Sequence, residues 1–356
     1  MEPVKIGLLG CGRIAQLVHI NTLAKLNGAR LVAVADTNPS VLKRLKGKLP
    51  SGTTFFEDYR ELIQTPEIEA VVVCLPNELH AEAAVMAFKH RKHVYLEKPI
   101  ALNTGEVKDV VLTWKNSGLV GMVGFNLRFN LLYRKLKYHI ASERVGRILS
   151  VRSTFTSLPR ALPRWKKERI SGGGVLLDLA SHHIDLLYFL FERNIERVNA
   201  HTTSYKSEDD TATVEFTLED GLRVQSFFSL YSIDEDNFEV FGTGGKMYIN
   251  RYLSFDVEIT DSTSKQTHLL KKPLKSLMRT LRSPLLTDRV LFPGRERSYE
   301  DALFHFVKAI REKCPVSPNI FDGYKSLVVV EAAERSARTG KEVHISEVID
   351  EDIACK

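Results

Sequence analysis

Short, wholly apolar runs alternate with longer stretches of helical periodicity through the first third of the chain. Residues 4–9, 31–35, 71–75, 93–96 and 119–124 are rich in Val, Leu, Ile and Ala, which predicts strands buried on both faces. The stretches between them, 13–26, 39–49, 77–91 and 103–116, have the length that crossover helices need. Such alternation predicts a parallel, doubly wound α/β sheet. After Asn126 the rhythm changes to alternating polarity at 148–156, 198–205, 211–218, 222–230, 237–241 and 246–250. Turn sequences such as Glu219-Asp220-Gly221 and Gly242-Thr243-Gly244-Gly245 separate these runs, as an antiparallel sheet requires. One helix, 175–191, interrupts them, and two more, 299–312 and 322–338, close the chain before Gly340. The expected organisation is therefore an α/β domain over 1–124, then an α+β domain with a mostly antiparallel open sheet over 125–356.

Composition adds bounds to this picture. With 356 residues, 44% hydrophobic and 26% charged, the chain is long enough for two well-packed cores and carries no block that reads as disordered. No signal-peptide pattern precedes the first strand, and no apolar run reads as long enough to span a bilayer, so the expected compartment is the cytoplasm. Cys11, Cys74, Cys314 and Cys355 are scattered, without the CxxC pairs or His clusters of a metal site, so reduced thiols and no metal are expected. The net charge of +6 is concentrated: from Lys271 to Arg297 eight Lys or Arg face two acids, Asp288 and Glu296. Within it, Lys271 to Leu285 reads as a short basic amphipathic helix, with Leu274, Leu277, Met278, Leu281 and Leu285 on one side. Burial of these leucines on its own domain or on a second copy is the favoured reading; contact with an anionic membrane surface or another partner stays open. Nucleic-acid binding is not expected, because the charge is local and lacks a reading motif.

The first motif with chemistry is Gly10-Cys11-Gly12-Arg13-Ile14-Ala15, which follows the first strand and opens the first helix. In that context GxGxxA is a dinucleotide fingerprint of the Rossmann type. Gly10 allows the tight turn, Gly12 lets a pyrophosphate approach the backbone, and Ala15 lets helix and strand pack. The helix N-terminus at Arg13 and Ile14 offers amide donors to phosphate. Asp36 ends the second strand, 24 residues past Gly12, where a carboxylate binds adenosine ribose hydroxyls and repels a 2′-phosphate. NAD is the expected cofactor, with NADP as the alternative, since Asp36 before Thr37-Asn38-Pro39 could instead cap the next helix.

Three further stretches carry a family likeness. Leu75-Pro76-Asn77-Glu78-Leu79-His80 is followed by His93-Val94-Tyr95-Leu96-Glu97-Lys98-Pro99, and Gly172-Gly173-Gly174 leads into Asp178-Leu179-Ala180-Ser181-His182-His183-Ile184-Asp185. With the closing Ser336-Ala337-Arg338-Thr339-Gly340, the sequence resembles the glucose-fructose oxidoreductase, inositol dehydrogenase and rhizopine-catabolism (Gfo/Idh/MocA) family over nearly its whole length. The resemblance implies that Glu97 and Asn77, with Leu75 and His80 in the same segment, lie near the cofactor, and that Lys98 reaches the substrate hydroxyl. It also implies that Asp178 and His182 form the acid/base pair. The chemistry agrees: alcohol oxidation needs a base near neutral pH, for which His182 is suited, and a donor for the oxygen that becomes anionic, for which Lys98 is suited. Asp178 and His182 are four apart on a helix, so the carboxylate is expected to orient the imidazole. His183, about 100° round the helix, is read as structural.

Asn126 and Arg128, in Gly124-Phe125-Asn126-Leu127-Arg128-Phe129, resemble the turn into the family's second domain and border the substrate site or serve as hinge residues. Arg164 and Trp165 lie in a basic loop before the triple glycine and suit an anionic group and a sugar face, or else form a solvated surface. The family's substrates are mostly sugars, sugar nucleotides and cyclic polyols, so the expected activity is hydride transfer between such an alcohol and the nicotinamide, by a homo-oligomer joined through the second-domain sheet. Two alternatives stay open: an NAD-dependent glycoside hydrolase of the same family, and a catalytically silent dinucleotide-binding regulator.

Overall fold

Six parallel strands build the first layer of the computed structural model, which describes residues 2–262, 283, 285, 286, 296–350 and 353. They are β1 (Val4–Leu9), β2 (Ala29–Ala35), β3 (Thr54–Phe56), β4 (Ala70–Val73), β5 (His93–Leu96) and β6 (Gly121–Val123), in the order β3-β2-β1-β4-β5-β6. This is the doubly wound order, in which the chain reverses direction across the sheet between β1 and β4 and opens a crevice at the strands' carboxyl ends. Crossovers run through α1 (Ile20–Leu23), α2 (Pro39–Lys46), α3 (Tyr59–Gln64), α4 (His80–Lys89) and α5 (Thr104–Ser117). Asn38, Asp58 and Asn103 start three of these helices by accepting a backbone N–H, which ties the loop-to-helix boundaries to sequence. A π-helical turn, Ala15–His19, precedes α1 where the glycine motif ends.

The second layer is an eight-stranded sheet of β7 (Ile148–Thr156), β8 (Ile195–Thr203), β9 (Thr211–Leu218), β10 (Arg223–Ser229), β11 (Glu235–Gly242), β12 (Gly245–Asn250), β13 (Glu258–Asp261) and β14 (Val343–His344). Its order is β13-β12-β11-β7-β10-β9-β8-β14 and its pairs are antiparallel except β7 with β10. The helices of this half are α6 (Leu131–Ala141), α7 (Ser181–Phe191), α8 (Ser298–Glu312) and α9 (Ile320–Thr339). A second π-helical turn, Leu176–Ala180, leads into α7. One face of the sheet buries Val151, Val224, Phe228, Phe238 and Val240, while Phe227 on the other remains exposed.

Helix α8 does not stay with the sheet that precedes it. Its Ala302, Leu303, Phe306 and Val307 join Ile6, Leu8, Val72 and Tyr95 in one apolar cluster against the first sheet. Helix α9 then runs between the two layers, packing on α5, α7 and β8.

Against expectation, the stretch Arg169–Phe191 is long and apolar enough by length and composition to cross a membrane. Most of it is buried inside the fold, where its apolar surface is that of a core helix. The basic segment Lys271 to Leu285 lies outside the described residues, apart from Ser283 and Leu285 themselves. Cys11, Cys74 and Cys314 are free thiols.

Candidate active site

The glycine turn closes on the carboxyl ends of β1, β2 and β4. Gly10 has φ of +82°, and a Cβ there would sit 2.6 Å from the Cys74 carbonyl, so the turn is open only to glycine. A Cβ on Gly12 would meet nothing within 4 Å, which leaves its backbone bare toward the crevice. Arg13 is exposed, Ile14 half-buried and Ala15 fully buried against the sheet. Asp36 accepts the Cys11 N–H at 2.8 Å on one carboxylate oxygen and the Asn38 N–H at 2.8 Å on the other. It fastens the end of β2 to the glycine turn, while Asn38 caps α2. Burial, with the Asp36 charge beside it, pushes the Cys11 thiol up to about 12, so it stays protonated.

These residues fit a dinucleotide. Gly10, Gly12 and the amides at Arg13 and Ile14 would hold the pyrophosphate, and the fixed carboxylate of Asp36 would take the adenosine ribose.

On the β4 and β5 side, the candidates share a tightly connected wall. His80 is buried, with Nδ1 2.6 Å from the Pro99 carbonyl and Nε2 2.9 Å from the Leu75 carbonyl. Both ring nitrogens face backbone oxygens, and a neutral ring donates to one of them, so His80 is fixed between the two strand ends with neither nitrogen turned to a ligand. Burial lowers its pKa. Leu75 is half-buried at the strand's mouth. The Asn77 amide donates to the Gly172 carbonyl at 3.0 Å, joining the first domain to the triple-glycine turn. Gly172 sits at φ +102°, where a Cβ would lie 2.8 Å from Asn77 Cβ.

Glu97 and Lys98, adjacent in sequence, part company at the end of β5. Glu97 turns back to His19, with Oε1 2.7 Å from Nε2. Lys98 Nζ crosses the cleft and donates to Asp178, to its backbone carbonyl at 2.5 Å and to Oδ1 at 2.9 Å. Lys166, from the loop before the triple glycine, donates to both Asp178 oxygens, at 3.2 and 3.1 Å. Burial opposes the Asp178 charge, yet Lys166 and Lys98 hold its carboxyl well below the usual carboxylate range. Burial lowers the Lys98 pKa, against the pull of Asp178.

His182 stands beside this cluster, between the rings of Phe125 and Phe155, whose centroids are 6.3 and 6.0 Å away. Its Nδ1 is buried without a hydrogen-bond partner among the described residues, so Asp178 does not orient the imidazole through a hydrogen bond as the spacing implied. The reason is electrostatic: two ammonium groups compete for that carboxylate, and a charged donor outweighs a neutral imidazole N–H. Burial, reinforced by Lys98, lowers the His182 pKa well below its ordinary value. His183 is fully buried between Ser153 Oγ at 3.1 Å and Asp236 Oδ1 at 3.0 Å, stacked on Phe155, and is structural as its helical position implied.

Of the four residues assigned to substrate, two are taken by the fold. Asn126 is buried and donates to Ser298 Oγ at 2.7 Å. Arg128 forks onto Asp185, Nε to Oδ2 at 2.9 Å and Nη2 to Oδ1 at 2.6 Å, and also reaches Ser317 and Asp322. Both tie the turn after β6 to α7, α8 and α9. Arg164 is 95% exposed and Trp165 half-buried, whereas Lys166, which the sequence did not single out, turns inward. Its nearest sequence signal is the alternation of basic side chains in 164–169, which fixes no direction. His19, 78 residues from Glu97, gave no sequence signal beyond lying one turn past the glycine motif.

Comparison with known proteins adds two family matches. Residues 4–125 match the GFO_IDH_MocA model, described as an oxidoreductase family with an NAD-binding Rossmann fold, and residues 133–248 match the GFO/IDH/MocA C-terminal domain. The chain is 28% identical to myo-inositol 2-dehydrogenase of Thermotoga maritima over 97% of its length and 100% of that protein. It is 25% identical to scyllo-inositol 2-dehydrogenase (NAD(+)) of Bacillus subtilis over 97% of both. In fold it is similar to levoglucosan dehydrogenase in complex with NADH and L-sorbose, with a TM-score of 0.83 at 24% identity, over 97% of this chain and 99% of that one.

Proposed function

The chain belongs to the GFO/IDH/MocA oxidoreductase family, and on that premise we propose that it oxidises a secondary alcohol of a sugar or cyclic polyol, with His182 taking the hydroxyl proton and NAD the hydride. The observation that carries this reading is the meeting of Lys98, Asp178 and Lys166 beside His182, at the carboxyl end of β5. NAD, when bound, supplies the hydride acceptor.

The rest follows from the side chains. An ammonium has three N–H donors, and Lys98 gives two to Asp178, so the third is available to the substrate oxygen. As the hydroxyl proton leaves, negative charge builds on that oxygen, and the group of two ammoniums and one carboxylate stabilises it. His182 has Nε2 for the hydroxyl, since Nδ1 is buried; as a base it carries its own proton on Nδ1, and the N–H there, unpaired among the described residues, adds to its lowered basicity. Its lowered basicity keeps the ring neutral before reaction and quick to release the proton afterwards. Trp165 and Arg164 border the loop from which Lys166 reaches in and suit the far side of the sugar.

Inositol dehydrogenases among the relatives support a polyol or sugar as substrate, and NAD rather than NADP is supported by the doubly anchored Asp36. A homo-oligomer joined through the open sheet face is supported by exposed Phe227. The test is a screen of NAD and NADP reduction against inositols, free sugars, sugar phosphates and sugar nucleotides. NAD-dependent turnover of at least one, abolished in His182→Ala, is the expected result. Turnover unaffected by that change would overturn the base assignment, and glycoside cleavage without net NADH would favour the hydrolase.

A further inference from the structure

Behind Lys98 lies a buried acid-imidazole pair that the reaction itself does not use. His19 is fully buried, and its Nε2 is 2.7 Å from Glu97 Oε1. His19 lies edge-on to Tyr95 at 5.7 Å and to Tyr299 at 6.1 Å, and Tyr95 in turn packs edge-on against Phe306. His19 Nδ1 and the Tyr95 hydroxyl are buried with no hydrogen-bond partner among the described residues.

That pattern fixes the proton positions. If the imidazole were cationic, or if Glu97 were the donor, Nδ1 would carry a buried N–H without an acceptor, a costly arrangement. A neutral ring with its proton on Nε2, donated to the Glu97 carboxylate, leaves only a lone pair unmatched. The pair therefore carries one negative charge, and that charge resides on Glu97. Tyr95 and Tyr299 beside the ring are uncharged at neutral pH, and Lys98, next in sequence, is the cation whose charge Glu97 feels. The fold is shaped round the carboxylate: a Cβ at Gly124 would lie 2.9 Å from Glu97 Oε2.

Glu97 directly follows the last residue of β5, the strand beside β4. In this strand order the dinucleotide lies across the carboxyl ends on both sides of the switch point between β1 and β4. Since Asp36 at the end of β2 takes the adenosine side, the nicotinamide side falls at β4 and β5. The oxidised nicotinamide ring is cationic and the reduced ring neutral. A fixed anion there stabilises the oxidised form selectively.

We propose that His19 is a positioning residue whose Nε2–H holds the Glu97 carboxylate as a fixed anion, and that this anion biases the bound cofactor toward NAD+ over NADH. The pair has a second effect on the same wall. With Glu97 engaged by His19, the neighbouring Lys98 is left to Asp178 and the substrate. This inference rests on the dinucleotide reading given above.

The test is the ratio of the dissociation constants for NADH and NAD+, measured by titration calorimetry and NADH fluorescence on wild type, His19→Leu, His19→Gln and Glu97→Gln, with Tm recorded for each. His19→Leu and Glu97→Gln should each weaken NAD+ relative to NADH by on the order of tenfold, the effect of losing one hydrogen bond to a charged group. His19→Gln, which keeps an N–H donor, should restore most of the ratio. If His19→Leu weakens both forms equally, or Gln rescues no better than Leu, His19 is a packing residue and the proposal falls. An unchanged ratio in Glu97→Gln overturns it too. Wild type that binds neither form would overturn the dinucleotide reading and the proposal together, which the other outcomes do not.

Discussion

Lys98 and Asp178 meet across the cleft between the two sheets, with the ammonium at the end of β5 lying 2.9 Å from a carboxylate oxygen 80 residues further on. The contact makes the site a product of both domains, since neither supplies the reacting group and its counter-ion alone.

Replacement of Lys98 by Met should therefore remove a donor that acts as charge develops on the substrate oxygen. The expected loss is about 10²–10³ in kcat, with NADH affinity nearly unchanged by fluorescence titration. A kcat within a few-fold of wild type would show that Lys98 does not stabilise the oxyanion.

The pH profile of alcohol oxidation should report His182. A base works above its pKa, and burial together with Lys98 lowers that of His182 well below its ordinary value. The acid limb of kcat/KM should consequently fall at lower pH than an unperturbed imidazole would give. In Lys98→Met that limb should shift back upward, because the neighbouring cation is gone. A limb that stays in place would mean that another group titrates there.

Two glycines in one motif should respond differently. Gly10→Ala forces a side chain into positive φ against the Cys74 carbonyl and should cost about 1–3 kcal/mol of stability, read by denaturant unfolding. Gly12→Ala meets no protein atom and should leave Tm unchanged while weakening NADH by roughly tenfold or more. Equal effects on folding and binding at the two positions would contradict the assignment of Gly12 to the pyrophosphate.

Arg128 should behave as a structural residue. Arg128→Met strands Asp185 in the core, and breaking a buried pair of this kind costs about 3–5 kcal/mol. At a temperature where the variant remains folded, its KM for substrate should match wild type. A selective rise in KM with Tm unaltered would return Arg128 to the substrate site.

Much of this was legible in the chain because burial leaves a strong signature. β1, β2, β4, β5 and β6 are apolar throughout, and the glycine turn stands where a strand becomes a helix. β3 was missed because Thr54–Phe56 is three residues long, and β13 and β14 are edge strands of four and two residues. α3 is six residues long, too short to show a period, whereas α6 carries an apolar face at Leu132, Tyr133, Leu136 and Ile140 that lies just where the rhythm of the chain changes after Asn126. At the site, sequence placed Lys98, Asp178 and His182 together but misjudged who holds whom. Spacing puts two residues on one helix face, yet only three-dimensional proximity shows that Lys166 and Lys98 outbid the imidazole for Asp178. Long-range pairs such as His19 with Glu97 and Arg128 with Asp185 have no local pattern to read.

The return of α8 to the first sheet gives the two layers two separate attachments. One is the turn after β6, where Asn126 reaches Ser298. The other follows α8, where Met122 bridges Asn319 and the Val123 N–H donates to the Pro318 carbonyl at 3.2 Å. With Asn77 on Gly172 and Lys98 on Asp178 across the cleft as well, the halves are held at several separated points, so the fold itself keeps Asp178 opposite Lys98. The return of α8 also means that the cofactor half cannot be cut free after β6 without uncovering the apolar strip on which Leu303 and Phe306 rest.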